Sequence, residues 1–168
     1  MELHMHSHRW EHRLPDWVAA AVSGFVAGAV VMVLELIWSS LVLGTDQWST
    51  SHMVAAIVMG RDALQSTGFS VGIVATALAT HYVLGIIFAL VLAAIIAPFH
   101  FDSSAGMLTL VGAVFGLALY LINFYGMVNF FPWFVEMRGW AALATHLIFG
   151  IVAALMYHQL ERRGTALQ

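Results

Sequence analysis

The sequence predicts an all-α integral membrane protein: a four-helix bundle of two parallel-repeat helical hairpins, with an interfacial helix in the first outer connection. Three observations predict it: the composition, four long apolar runs and an internal repeat. Of the 168 residues 61% are hydrophobic and 9% charged, and the mean hydropathy is +0.88. A soluble domain of this length cannot hide so much apolar surface, so its solvent is lipid. The chain has six Arg, no Lys and a formal charge of -3. Without a basic stripe it has no nucleic-acid footprint. The absence of Cys excludes disulfides and thiolate metal sites.

Taken in order, residues 1–16 form a His-rich tail and residues 17–158 a single membrane domain, followed by a second tail at 159–168. Four runs, at about 17–43, 71–97, 105–131 and 140–157, reach the roughly 20 residues that a helix needs to cross a hydrocarbon core. None alternates polar and apolar residues as barrel strands do. The first run is longer than a secretory h-region and leads straight into a polar connection, which makes it a retained anchor. Arg9 and Arg13 precede the first span, Arg162 and Arg163 follow the fourth, and Arg61 and Arg138 lie in the two connections opposite. Both termini are therefore expected in the cytoplasm. Trp48, Trp133 and Trp140 would mark the outer interface, with Trp17 and Tyr157 at the inner one.

The repeat comes next. Ala77–His81 recurs residue for residue as Ala142–His146, and Gly85, Ile86, Ala89 and Leu90 recur as Gly150, Ile151, Ala154 and Leu155, all at an offset of 65. Spans one and three echo each other more weakly at an offset of 88, pairing Gly24 with Gly112, Gly28 with Gly116 and Glu35 with Asn123. Spans one and three run the same way through the membrane, so the halves are parallel repeats about an axis along the membrane normal. The difference of 23 residues measures an insertion within residues 44–70. On a helix its Met53, Ala56, Ile57 and Leu64 come together, with Arg61 and Asp62 elsewhere. That pattern fits a helix on the outer surface or a helix packed within the loop.

Small residues recur at helical spacing in every span, which lets backbones approach closely where lipid supplies no hydrophobic drive. Polar groups interrupt those stripes: Glu35 and Asn123 late in the first helix of each half, His81 and His146 early in the second. In antiparallel helices these positions share a depth, roughly 10 to 14 Å below the outer surface at 1.5 Å per residue, so the four can converge. A charge within the bilayer costs about 2.5–3.5 kcal/mol on insertion scales, so Glu35 needs a partner, a proton or an ion. Three readings stay open. One is an interhelical hydrogen-bond cluster. Another is a cofactor or divalent metal, with His81 and His146 as axial ligands of haem b or with Glu35 as a nitrogen and carboxylate set. A proton or ion pathway is the third.

In the N-terminal tail His4, His6, His8 and His12 have the composition of a metal-binding tract or of a plain mobile tail. His52, His100 and His158 are expected at the membrane edges, solvated or interfacial. No nucleophile with a base at helical spacing, no glycine-rich phosphate loop and no paired carboxylates speak for an enzyme. Beyond the lipid bilayer, the expected partners are further copies of the chain or a larger membrane complex, such as a respiratory one, that it would serve as an accessory subunit. An oligomeric ion or small-solute transporter is the other class.

Asn123–Phe134, followed by Arg138, Gly139, Trp140 and His146, together with Ala55–Asp62, resembles a group of small uncharacterised bacterial inner-membrane proteins. The likeness covers most of residues 17–158. Some of that group carry the label sodium:proline symporter, but symporters of that class have ten or more spans with broken helices. The resemblance therefore implies a fold and a location in the bacterial inner membrane, not that activity.

Overall fold

The computed structural model describes residues 13–40, 48–99, 101 and 104–166. Its helices are α1 (Trp17–Trp38), α2 (Ser49–Met59), α3 (Val71–Phe99), α4 (Ala105–Leu121) and α5 (Trp140–Ala166). Among the described residues there is no strand. Four helical stretches are long and apolar enough to cross a membrane: Trp17–Trp38, Val71–Phe99, Ala105–Asn129 and Trp140–Arg163. The chain is a multi-pass membrane protein built as a helical bundle.

Helix α1 starts where Asp16 accepts hydrogen bonds from the amides of Val18 and Ala19 at 3.0 and 2.9 Å, satisfying donors that a first turn leaves open. Ser104 caps α4 through the Met107 amide at 3.1 Å. In the first span the regular α-helix α1 ends at Trp38, and residues 41–47 lie outside the described ones. The third is regular only to Leu121, after which the backbone widens into a π turn at Ile122–Gly126 and tightens to a 3₁₀ turn at Met127–Asn129. The fourth runs past 157 to Ala166. What was expected as a tail beyond residue 158 is helical because Leu160 packs on the core and buried Glu161 accepts from the Tyr157 hydroxyl.

The two hairpins are built alike. Gly24 of α1 and Gly85 of α3 lie against each other so closely that a Cβ at Gly24 would stand 2.5 Å from the Gly85 carbonyl oxygen, and one at Gly85 3.1 Å from that of Gly24. Their repeat counterparts, Gly112 of α4 and Gly150 of α5, make the same reciprocal contact of a Cβ position with the other's carbonyl. Only glycine permits backbones this close. Small residues at helical spacing face inward: Ala77, Ala89 and Ala93 of α3 and Ala154 of α5 are all buried.

Between the halves the likeness ends. α1 packs along α5, whereas the equivalent pair, α3 and α4, scarcely touches. The α1–α5 seam is fastened at one end by polar groups. The Asp16 amide donates to the Tyr157 hydroxyl at 3.2 Å, that hydroxyl donates to Glu161 at 3.1 Å, and Arg13 pairs with Glu161 at 2.8 Å. Tyr157 is buried at 1% exposure.

At the opposite end α2 packs on α3. Met53, Ala56, Ile57 and Leu64 join Tyr120, Phe124, Trp133 and Phe134 in one apolar cluster, while Arg61 and Asp62 are exposed. The inserted segment thus contains a helix whose apolar face packs on the bundle. It is also broken: Gly60, at φ +82°, ends α2, and Arg61–Gln65 form a separate 3₁₀ turn. Trp133 is buried, and its indole N–H donates to the Met53 carbonyl at 3.0 Å. His52 is buried as well, with no partner for Nε2 among the described residues, and His158 Nδ1 is buried likewise. His158 as a whole is half-buried, and His100 lies outside the described residues.

Candidate functional site

Below the aromatic end the helices border a partly open chamber of about 450 Å³. Its wall carries five polar side chains: Glu35 from the last turn of α1, His81 from α3, Asn123 from the π turn after α4, and Thr145 and His146 from α5. The rest is mostly apolar, with Val31, Leu84, Leu119 and Ile122 in the middle, Phe88 and Phe149 deeper, and Phe124, Met127, Phe131, Phe134 and Met137 toward the aromatic end. Val54 and Ile57 of α2 complete it. An apolar concavity with a few convergent polar groups is the usual form of a small-molecule site.

The polar groups do not repeat their partners as they repeat their positions. In the second half the Asn123 side-chain amide donates to His146 Nε2 at 3.1 Å, and His146 Nδ1–H donates to the Ala142 carbonyl at 2.8 Å. Bonding at Nδ1 fixes the tautomer that leaves Nε2 an acceptor. The Thr145 hydroxyl donates to the same Ala142 carbonyl at 3.0 Å. The π turn sets up this contact, since a wider turn shifts the side chains that follow it out of the α register. Arg138 holds the turn from outside, its Nε–H donating to the Phe124 carbonyl at 2.7 Å and its guanidinium lying 4.3 Å from the centre of the Tyr125 ring.

In the first half His81 Nε2–H donates instead to the backbone carbonyl of Gly28, at 3.0 Å. A Cβ at Gly28 would lie 3.6 Å from the imidazole Cδ2 and Nε2, in ordinary contact with the ring. At the matching Gly116 a Cβ would run into the backbone carbonyl of His146 itself, so there the helices, not the ring, fill the gap. Glu35 consequently has no hydrogen-bond or ion-pair partner among the described residues, although it is the counterpart of Asn123. A second, smaller cavity of about 50 Å³ reaches the same carboxyl from the α2 side, lined by Glu35, His81, Thr50, Ser51 and four apolar residues.

The structure therefore brings Glu35, His81, Asn123 and His146 to one chamber. It does not bring them to a metal centre: no three of the described His, Asp and Glu residues are grouped to hold a metal ion, which corrects the expectation of a set made by Glu35, His81 and His146. The carboxyl and the two imidazoles share one wall space but do not converge on one point. His4, His6, His8 and His12 lie outside the described residues. Sequence reasoning missed the aromatic and Met residues of 124–137 and the α2 side chains as parts of the wall. The dense aromatic run after Asn123 was their one signal, since a polar connection needs no such run. No family model, curated protein or solved structure matches the chain.

Proposed function

We propose that this membrane protein binds a small, mainly apolar organic molecule in its intramembrane chamber, with Glu35, His81, Asn123 and His146 as polar anchors. One observation carries the reading: a chamber of about 450 Å³, apolar except for Glu35, His81, Asn123, Thr145 and His146, which between them come from all four spans. Haem b is the weaker occupant. To ligate its iron, His81 Nε2 would have to leave the Gly28 carbonyl and His146 Nε2 would have to leave Asn123. The arginine distribution supports cytoplasmic termini, and the likeness of residues 123–134 to small bacterial proteins supports an inner-membrane location.

The test is to purify the protein and its Val54→Phe variant in the same detergent, extract both with organic solvent and compare the extracts by mass spectrometry. Val54 lines the chamber, and a ring there occupies space a ligand needs. A discrete small molecule in near-stoichiometric yield from the wild type, several-fold depleted in the variant, is the expected result. Identical extracts of bulk phospholipid from both proteins overturn the reading, and a Soret band would transfer the chamber to haem.

A further inference from the structure

We infer that the molecule held in the chamber is a lipophilic amine or quaternary ammonium cation whose positive centre rests against Glu35. This depends on the chamber being a ligand site. The first support is the isolation of Glu35: its repeat counterpart Asn123 is bonded to a histidine, but His81 has given its Nε2–H to Gly28, and no described residue bonds the carboxyl. Glu35 is the one charged type among all the residues of the chamber wall. A carboxylate at bilayer depth is expensive unless something positive faces it, and among the described residues no Arg lines either cavity: Arg13 pairs with Glu161 and Arg138 bonds the Phe124 carbonyl.

Aromatic faces are the second support. Phe88 and Phe149 lie at one end of the chamber, Phe124, Phe131 and Phe134 at the other. Ring faces attract organic cations, and rings around an ammonium are a recurrent way of binding one. An apolar body with a hydrogen-bond acceptor would suit the rings equally but would gain nothing from a carboxylate. The small cavity on the far side of Glu35 is the third. It is large enough for water and carries the Thr50 and Ser51 hydroxyls, so a charged head bound at Glu35 keeps part of its hydration while its apolar body lies among the rings.

Two probes of one shape separate charge from fit: benzyltrimethylammonium and its uncharged carbon isostere, neopentylbenzene. Binding is measured by saturation-transfer NMR on the full chain in nanodiscs of zwitterionic lipid, with empty nanodiscs subtracted. The wild type should bind the ammonium at least about tenfold more tightly than the hydrocarbon, a difference of about 1.4 kcal/mol. Glu35→Gln should lose that preference while still binding the hydrocarbon, and Glu35→Asp should keep it. Equal binding of the ammonium by wild type and Glu35→Gln overturns the inference, as does a wild-type preference for the hydrocarbon; both leave the chamber standing as a site. Binding of neither probe by a wild-type protein that also yields no co-purified molecule overturns the chamber reading and this one together.

Discussion

Gly28 and Gly116 occupy the same place in the two halves, yet their neighbours assign them different tolerances. A methyl group at Gly116 meets the His146 carbonyl on a packed helix backbone, whereas at Gly28 it reaches the His81 ring at 3.6 Å, an ordinary contact. Gly116→Ala should therefore destabilise the bundle by about 1–3 kcal/mol through overpacking, while Gly28→Ala should stay close to wild type; thermal unfolding in detergent followed by circular dichroism compares them. His146→Ala should cost about 1–3 kcal/mol, because it strands the Asn123 amide that donates to its ring; His146→Gln, which keeps an acceptor, should recover part of that loss in the same assay. The four polar positions were legible because polar residues at lipid depth stand out against a small-residue stripe. Their bonding was not, because an offset of 65 carries position but not rotamer, and the His81 ring turns to a backbone carbonyl that no side-chain pattern reveals.

α2 shows what periodicity can and cannot say about an element. Its apolar set was readable, and Met53, Ala56, Ile57 and Leu64 do share a cluster. Its surroundings were not, because the same pattern serves a helix facing lipid and one facing protein. The deciding contact is the hydrogen bond from Trp133 to the Met53 carbonyl, 80 residues apart in sequence, and local reasoning has no access to such a pair. Trp133→Phe removes that bond and should cost about 0.5–1.5 kcal/mol, with faster amide hydrogen exchange across Ser49–Met59 as its local signature. Unchanged exchange there would mean that packing alone seats the helix. Since Val54 and Ile57 line the chamber, the insertion serves as part of the wall, beyond the separable addition that its offset suggested. The π turn at Ile122–Gly126 was equally hidden, for a widened turn leaves no mark in composition.

Across the whole molecule, four spans were legible from hydropathy because length and apolarity suffice to place them. An even pass number puts the two ends of the bundle domain on one side: reporter fusions at residue 60 and at the C terminus should fall in opposite compartments, and matching compartments would refute the four-span architecture. The unequal seams were not legible, since the repeat implies that α1–α5 and α3–α4 are equivalent. They are not, and the inequality bears on biosynthesis. α1 leaves the ribosome first of the four and α5 last, and the close α1–α5 seam, with its Arg13, Glu161, Tyr157 and Asp16 fastening, joins those two. Until translation has passed Arg163 the earlier helices lack that neighbour, and the space that later becomes the chamber lies open to lipid on the α1 side. The chamber wall is thus completed late: α5 supplies Thr145, His146 and Phe149 to it, so the chamber takes its full lining only once α5 has entered the membrane, and a molecule already lying among the earlier helices can be surrounded during assembly.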